Sequence, residues 1–272
     1  LRHLLTHTSG YGYGMWSEPL ARYMTLHDLP GAASCRNIAL TLPLLFDPGS
    51  RWNYGINIEW VGKAIEGATG QTLGDYLRAN LLGPLGMDST GFRITPAMRA
   101  RLSSMHERDA AGALHASDFE MPQEPEFELG GGGLYSTAPD YLAFVRMILN
   151  RGAGNGNRVL DPQTVELMSR NHMGGLRVTR LVTADPSRSN DAEFFPGLPK
   201  SWGLGFMINE DTAPTGRSAG SLAWAGLSNC YFWIDPSRGL GGLCLTQILP
   251  FADVKALPLF LDFEAAAYRC CG

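Results

Sequence analysis

Apolar and polar positions follow different periods in the two halves of the chain. Apolar residues recur at helical spacing over residues 56–67, and a second helical pattern covers residues 72–82 before a Gly83-Pro84 stop. From Trp202 onward, short apolar runs bounded by turn residues replace this spacing. The pattern therefore predicts helices in the first half and strands toward the end.

Four apolar runs near the end of the chain are predicted to be strands of one sheet. They are WGLGFMI (202–208), SLAWAG (221–226), NCYFWID (229–235) and LGGLCLTQI (240–248). Residues 235–239, with the sequence DPSRG, form a turn signal between the last two runs. Strands joined by links this short are expected to pair in an antiparallel sheet.

Three further helices are predicted in the second half. One begins after Ser136 or Thr137, either of which can cap it, with Pro139 and Asp140 in its first turn. Another begins at Asp161-Pro162, and an apolar helix over about residues 252–268 ends the chain. These helices would cover the faces of the predicted sheet.

The predicted elements divide the chain into two regions. Residues 1–135 are mostly helical, whereas residues 136–272 combine helices with the antiparallel sheet. After Ser103 the sequence is loop-like, and it ends in the acidic segment PQEPEFE (122–128), which we expect to be exposed. The predicted fold class is α/β, of the α+β type: an antiparallel sheet flanked by helices, plus a mostly helical domain.

Composition and charge exclude several classes of partner. The 272 residues are 44% apolar, enough for a substantial core, and carry 22 basic and 26 acidic residues without a basic stripe. The longest apolar run, around residues 240–251, is broken by Thr246, Gln247 and Pro250 and is too short to span a bilayer. We expect a globular protein that binds neither nucleic acid nor a membrane.

The cysteines and the first ten residues suggest the state of the thiols and the place where the domain begins. Five cysteines is an odd number without zinc-ligand spacing, so we interpret them as reduced thiols. The opening segment LRHLLTHTSG (1–10) lacks the order of a signal peptide and is typical of the middle of a domain. We therefore expect the domain to begin upstream of Leu1.

Three local motifs are tested and set aside. GRSAG (216–220) matches the nucleophile pentapeptide of α/β-hydrolases, but a strand follows Ser218 and no histidine follows His172, so we interpret it as a turn. The pair His3 and His7 has helical spacing without a third nearby metal ligand. Residues 130–133 (GGGG) follow an acidic segment and are interpreted as a backbone turn, not as a phosphate cradle.

Five longer segments occur in the order and at the distances found in one enzyme family. They are LRHLLTHTSG, FDPGSRWNYG with GKAIEGATGQTL, LLGPLGMDSTGF, GGGGLYSTAPDYLAFVRMILNRG and WAGLSNCYFWIDPSRGLGGLCLTQILP. Together they cover nearly the whole chain, which resembles the serine β-lactamase-like family. It is similar to class C β-lactamases and more closely to the family VIII carboxylesterases, which implies a β-lactamase/transpeptidase-like fold.

The resemblance implies roles for particular residues. In this family a Ser-x-x-Lys supplies the nucleophile and a lysine, a tyrosine acts as base, and a third element lines the opposite wall on a strand. Tyr54 falls on the tyrosine, and Trp224-Ala225-Gly226 falls on the third element in its esterase-like Trp-x-Gly form. The backbone N–H of Leu227, which follows, would help to hold the oxyanion.

Two departures from the family pattern affect the substrate. Ile56 stands two places after Tyr54, where the family often has asparagine, and Asn57 is one place late. Trp224 cannot supply the cation that a lysine offers to a substrate carboxylate, so ester substrates without a carboxylate are favoured. Residues that could line an apolar pocket are Asn57, Tyr11, Tyr13, Trp16 and Trp202.

The chain contains no Ser-x-x-Lys. The residues three places before its only lysines, Lys63, Lys200 and Lys255, are tryptophan, glycine and alanine. We expect the pair upstream of Leu1 and expect this chain alone to be inactive. Lowering a tyrosine pKa from about 10 to about 7 needs on the order of 4 kcal/mol, which a nearby ammonium would supply, so Tyr54 alone should stay a neutral phenol.

The function implied is that of a serine hydrolase acting on small-molecule, short-chain carboxylic esters through an acyl-enzyme. The mechanism requires no metal or organic cofactor. Three alternatives remain open at this point: a β-lactamase or D-Ala-D-Ala peptidase of the same fold, an acyltransferase of that fold, or a non-catalytic binding remnant. The sequence does not indicate the oligomeric state or the cellular compartment.

Overall fold

The computed structural model is described over residues 1–271 and is built of nine α-helices and ten strands within that range. The helices are α1 (Arg2–Leu5), α2 (Glu18–Leu26), α3 (Asn57–Thr69), α4 (Leu73–Leu77), α5 (Gly83–Leu85), α6 (Pro96–Arg99), α7 (Ala138–Leu149), α8 (Pro162–Met168) and α9 (Ala256–Cys271). The strands are β1 (Met105–Arg108), β2 (Leu114–Ser117), β3 (Ala153–Gly154), β4 (Asn157–Arg158), β5 (Lys200–Trp202), β6 (Met207–Asn209), β7 (Leu222–Gly226), β8 (Cys230–Asp235), β9 (Leu240–Cys244) and β10 (Ile248–Leu249). Short 3₁₀ segments cover Gly14–Trp16, Ala32–Ser34 and Asn37–Leu40, and a π-helical turn covers Arg78–Leu82.

The main sheet has five strands in the order β5-β6-β7-β8-β9, and all neighbours are antiparallel. Because side chains alternate between the faces of a strand, the sheet contributes to two separate cores. Tyr231 and Trp233 pack with Phe260 of α9. Ile234 and its neighbours on the other face pack with Val145 of α7. The predicted fold class, an antiparallel sheet flanked by helices, is confirmed.

The predicted number of strands is wrong in two places. The run 202–208 is the β5–β6 hairpin, because its chain turns at Gly205, which has a φ of +100°. The run 240–248 ends as a strand of this sheet at Cys244, and its last residue belongs to β10. The main sheet therefore has five strands instead of four.

A second sheet forms in the segment that was expected to be a loop. β1 pairs antiparallel with β2 and parallel with β10, so three short strands lie in the order β10-β1-β2. Most side chains of β1 and β2 are partly or fully exposed, so no alternating pattern marked them as strands. In the acidic segment that follows, Phe127 is buried, contrary to the expected exposure.

Helix boundaries follow local capping chemistry. The hydroxyl of Thr137 accepts the backbone N–H of Asp140 at 3.4 Å, which confirms the predicted start of α7. α9 begins four residues later than predicted, because Asp253 accepts the backbone N–H groups of Lys255 and Ala256 and so forms a capping turn. The predicted stop at residues 83–84 lies inside α5, which ends at Leu85 and is capped by Gly86 with a φ of +70°.

The two regions predicted from sequence share structure. β1 lies before residue 135 and β10 after it, yet the two strands pair. The division at residue 135 stays a prediction. Within residues 1–271, all five cysteines are free, and no helix is both long and apolar enough to cross a membrane.

Candidate active site around Tyr54

Backbone contacts with the first residues of the chain fix the position of Tyr54. The N–H of Asn53 donates to the carbonyl of His7 at 2.8 Å, and Gly49 donates to Thr8 at 2.7 Å. A Cβ atom on Gly55 would lie 2.4 Å from the Cα of Gly12, so the two backbones touch where only glycine fits. Tyr54 therefore lies between residues 49–53, which hydrogen-bond to the first residues of the chain, and the start of α3.

The two motifs singled out from sequence meet at a hydrogen bond. The indole N–H of Trp224, on β7, donates to the phenol oxygen of Tyr54 at 2.9 Å, and the two ring centroids are 4.7 Å apart. Both side chains are partly exposed. The segment before α3 and the end of β7, the middle strand of the main sheet, thus lie side by side.

Further aromatic rings surround the phenol. The ring centroids of Tyr13 and Trp16 lie 5.4 Å and 5.5 Å from that of Tyr54, and both side chains are partly exposed. Trp202 is also near, with its centroid 6.3 Å away, but it is only 1% exposed. Trp16 therefore belongs to the surface beside Tyr54, whereas Trp202 forms the core behind it.

Two residues expected near a pocket have structural contacts elsewhere. Tyr11 stacks on Trp60 of α3, with centroids 6.1 Å apart, and packs against the cluster that contains Ile56. Asn57 is fully buried: its amide N–H donates to Nδ1 of His7 at 3.1 Å, and its oxygen accepts from Ser9. Asn57 therefore links the first residues of the chain to α3 and has no surface open to a substrate.

The segment after Trp224 ends β7 and turns into β8. Ala225 and Leu227 are partly exposed, and Gly226 is exposed. The buried side chain of Asn229 fixes this turn, because its amide donates at 2.8 Å to the carbonyls of Ile248 and Pro250. Asn229 is thus a structural residue behind the wall.

Burial favours the neutral forms of Tyr54 and His7. It raises the pKa of Tyr54 above the ordinary tyrosine value; the Trp224 hydrogen bond acts in the opposite direction, and the charge of Glu59 adds to the increase. Burial also lowers the pKa of His7 to about 3. Tyr54 is therefore a neutral phenol in this chain, in agreement with the expectation from sequence.

The motifs set aside from sequence have structural partners. The backbone N–H of Ser218 donates to Asp235 at 2.9 Å in the turn before β7, which confirms the interpretation of GRSAG as a turn. Lys63 pairs with Glu66 at 2.8 Å on the solvent side of α3. His3 and His7 bond to different partners, Thr8 and Asn57.

Sequence reasoning missed Glu59 as a member of this site. Glu59 lies in the first turn of α3, is 1% exposed, and accepts the phenol O–H of Tyr13 at 2.5 Å. Its only local signal is a carboxylate in an otherwise apolar helix start. Its partner is 46 positions earlier, so no spacing rule could pair the two.

Proteins of one enzyme family match nearly the whole chain. Residues 1–266 match the family model described as Beta-lactamase. The chain is 34% identical to Monacolin J acid methylbutanoyltransferase of Aspergillus terreus, over 98% of this chain and 66% of that protein. It is 29% identical to Lovastatin esterase of Penicillium rubens, over 99% of this chain and 69% of the esterase. The chain thus spans about two thirds of the length of these relatives.

Solved structures show the same fold. Unliganded Simvastatin Synthase (LovD) from Aspergillus terreus, as the selenomethionyl derivative, is similar with a TM-score of 0.84 and 32% identity, over 99% of this chain and 68% of that one. EstCE1, described as a hydrolase with promiscuous acyltransferase activity, has a TM-score of 0.73 at 24% identity, over 98% and 71% of the two chains, and this likeness concerns the fold alone. With a family match over nearly its whole length, this chain belongs to the beta-lactamase family.

Proposed function

We propose that this chain carries the tyrosine wall and the third-motif wall of a serine enzyme that cleaves short-chain carboxylic esters through an acyl-enzyme. The serine and lysine of Ser-x-x-Lys would come from sequence outside these 272 residues. The observation that carries the proposal is the 2.9 Å hydrogen bond between Tyr54 and Trp224, which unites the two motifs at one partly exposed surface.

In the proposed reaction, Tyr54 acts as the general base. With the lysine beside it, Tyr54 accepts the proton of the serine hydroxyl as the serine oxygen bonds to the ester carbonyl carbon. The tetrahedral intermediate then collapses, the C–O bond to the alcohol breaks as the leaving oxygen takes the proton from Tyr54, and an acyl-serine remains. Water attacks that acyl group by the same route and releases the carboxylic acid.

The turn after β7 supports an oxyanion site. Leu227 follows directly after the strand, and its backbone N–H donates to no atom within the described residues 1–271. A free N–H at the end of a strand can bind the negative oxygen of the tetrahedral intermediate, and such donors typically contribute about 3 kcal/mol. The buried amide of Asn229 would keep the turn in place.

The surface around Tyr54 favours an uncharged acyl group. Trp16, Tyr54 and Trp224 present aromatic rings there. By the family resemblance, Trp224 stands where related enzymes can have a lysine that binds a substrate carboxylate. This chemistry disfavours β-lactam hydrolysis. Lovastatin esterase, which is 29% identical to this chain, supports an ester substrate.

An acyltransferase is the second candidate, and a specific finding favours it. The relative at 34% identity is a methylbutanoyltransferase, in which an acyl group passes to an acceptor other than water. Both candidates share the acyl-serine and the role of Tyr54. They differ only in whether water or an alcohol attacks the acyl-enzyme.

The test uses the full-length parent protein that contains a Ser-x-x-Lys. Wild type should react with a fluorophosphonate and gain the corresponding mass on one serine. Tyr54→Phe should slow this labelling by about 100-fold or more, because a general base typically contributes at least that factor. Tyr23→Phe, on α2 with its ring against His27, serves as the matched control.

The outcomes separate the candidates. Labelling of Tyr54→Phe within tenfold of wild type would remove the base assignment. With a p-nitrophenyl ester and an added alcohol, predominant release of the free acid supports the esterase, whereas predominant formation of a new ester supports the acyltransferase. Absence of both labelling and turnover in the wild type would indicate a non-catalytic remnant.

A further inference from the structure

Glu59 is a buried carboxyl beside the Tyr54 cluster that the proposed reaction does not use. Its side chain is 1% exposed, and one oxygen, Oε1, accepts the O–H of Tyr13 at 2.5 Å. The other oxygen, Oε2, is buried without a hydrogen-bond partner among the described residues. A buried, half-satisfied carboxyl is costly, so its position near the site calls for an explanation.

The glycine-rich loop at residues 130–133 is shaped around this carboxyl. A Cβ atom on Gly131 would lie 2.5 Å from Oε1 and 2.8 Å from Oε2 of Glu59. A residue larger than glycine at this position would therefore force the Glu59 carboxyl to move. Gly131, in the run interpreted from sequence as a backbone turn, thus packs directly against the buried carboxyl.

Tyr13 connects Glu59 to the proposed base. The hydroxyl of Tyr13 points to Glu59, and its ring packs against the ring of Tyr54 with centroids 5.4 Å apart. Tyr13 also contacts Trp16, whose ring lies beside the same face of the site. A change at Glu59 therefore reaches Tyr54 through one intervening side chain.

The groups that face Glu59 are all neutral when it is neutral. They are Tyr13, Tyr54 and Cys35, and the charge of Glu59 raises the pKa of each of them. On its own helix, one turn further along, Lys63 is paired with Glu66. No described cation therefore bonds to the Glu59 carboxylate, so an ionised Glu59 would be an uncompensated charge.

Burial raises the pKa of Glu59 to about 7, and the hydrogen bond from Tyr13 partly opposes that increase. The carboxyl therefore changes its charge near neutral pH, in a place where an added negative charge disfavours the phenolate of Tyr54. Titratable groups whose pKa is shifted by burial are concentrated at functional sites.

We infer that Glu59 is a positioning residue for Tyr54: when neutral it holds Tyr13 against the Tyr54 ring, and when ionised it opposes negative charge on Tyr54. This inference rests on the proposed function, in which Tyr54 is the base. It adds a regulatory group to that site, so the reactivity of the serine depends on the protonation of a carboxyl that never touches the substrate.

The first test compares labelling rates of the full-length protein with those of Glu59→Gln across about pH 5 to 9. Glutamine keeps an oxygen that can accept from Tyr13 but cannot ionise. The ratio of the variant's rate to the wild-type rate should rise through neutral pH by about threefold or more, which corresponds to half a pKa unit at Tyr54. Glu66→Gln, the same substitution on the same helix, should give a flat ratio. A flat ratio for Glu59→Gln would overturn the inference.

The second test does not depend on activity. Because the pKa of Glu59 is raised in the folded state, its protonated form favours folding, and this contribution is lost as pH rises from about 4.5 through about 7. The free energy of unfolding of wild type relative to Glu59→Gln should fall over that range in urea titrations. A constant difference would also overturn the inference.

The two tests separate the inference from the proposed function. If wild type never reacts with the fluorophosphonate while the stability difference still changes with pH, the proposed function fails and the role of Glu59 is only structural. If wild type reacts and Tyr54→Phe does not, but both Glu59→Gln comparisons are flat, the proposed function stands and the positioning role fails.

Discussion

Trp224 donates its indole N–H to the phenol oxygen of Tyr54 at 2.9 Å, across 170 positions of sequence. The bond joins the end of β7 to a residue three positions before the start of α3. It also favours the charged form of the phenol, in opposition to the effect of burial. Trp224 thus has an electrostatic role in addition to its role as an aromatic wall.

Replacing Trp224 by phenylalanine removes the donor and keeps an aromatic ring. The pKa of Tyr54 should rise, and fluorophosphonate labelling of the full-length protein should slow by about five- to tenfold, the effect of one hydrogen bond of about 1 kcal/mol. The control is Trp60→Phe on α3, whose buried indole N–H has no partner in the described chain. Equal labelling rates for Trp224→Phe and wild type would show that the bond has no role in acylation.

Alanine in place of Gly55 and alanine in place of Gly67 should change the free energy of unfolding in opposite directions. At Gly55 the new methyl group would overlap the backbone of Gly12, so Gly55→Ala should lower the free energy of unfolding by about 2 kcal/mol. It should also slow labelling, because Tyr54 is the preceding residue. At Gly67, an exposed position of α3 with no atom within 4 Å of the new methyl group, alanine should stabilise the protein by about 0.5 to 1 kcal/mol.

Urea denaturation of both variants and the wild type measures this difference. Similar effects at Gly55 and Gly67 would mean that the close contact between residues 12 and 55 relaxes without cost. That result would contradict the conclusion that this contact fixes the position of Tyr54.

The sequence predicted those parts of the site that a local pattern of apolar and turn residues marks. The helix start after Tyr54 and the strand that carries Trp224 follow from apolar periodicity and turn residues. That the two belong to one site was implied only by the family resemblance, and the hydrogen bond between them was not predicted. The pairing of Glu59 with Tyr13, and of Asn57 with His7, depends on which distant side chains meet in the core, and no periodic pattern records that.

The strands of the two sheets also show which features the sequence pattern does not predict. The apolar run 202–208 predicts one strand, but it contains only the end of β5 and the start of β6, and the turn between them depends on the positive φ of Gly205. β1 and β2 carry mostly exposed side chains, so their pairing rests on backbone hydrogen bonds that composition does not reveal. The faces of the main sheet, in contrast, follow the alternation of large apolar residues in β8.

A buried ion pair joins the turn before β7 to α9. Arg217 is 1% exposed and Glu264 is fully buried, and the guanidinium Nε donates to the carboxylate at 2.9 Å. Glu264→Gln would leave the guanidinium charge buried without a counter-ion, so the free energy of unfolding should fall by about 3 kcal/mol. The control Glu166→Gln disrupts an exposed pair with Arg170, 3.8 Å apart, and should change stability by less than the error of the measurement.

Chemical denaturation at neutral pH decides this prediction. A small loss for Glu264→Gln, comparable to that of Glu166→Gln, would show that the remaining hydrogen bonds from Thr215 and Arg217 are enough to satisfy the site. In that case the link between the turn and α9 would not depend on charge.

His7 should make stability fall in acid. Its ring is 2% exposed and its centroid lies 4.5 Å from that of Tyr54, while Nδ1 accepts a hydrogen bond from Asn57. Burial lowers its pKa from 6.5 to about 3, so the folded state favours the neutral ring. The resulting stability is fully present above about pH 6.5 and is lost as pH falls toward 3, with a loss of about 2 kcal/mol by pH 5.

The matched variant is His7→Gln, which keeps an oxygen that can accept from Asn57 but does not titrate in this range. Its free energy of unfolding should change less between pH 7 and about pH 5 than that of wild type, by roughly the same 2 kcal/mol. Protonation of His7 would also end the hydrogen bond that Nδ1 accepts, so the first residues of the chain should loosen from α3 before global unfolding. Parallel acid profiles for His7→Gln and wild type would mean that His7 is not the group that titrates, and that the acid sensitivity arises elsewhere in the chain.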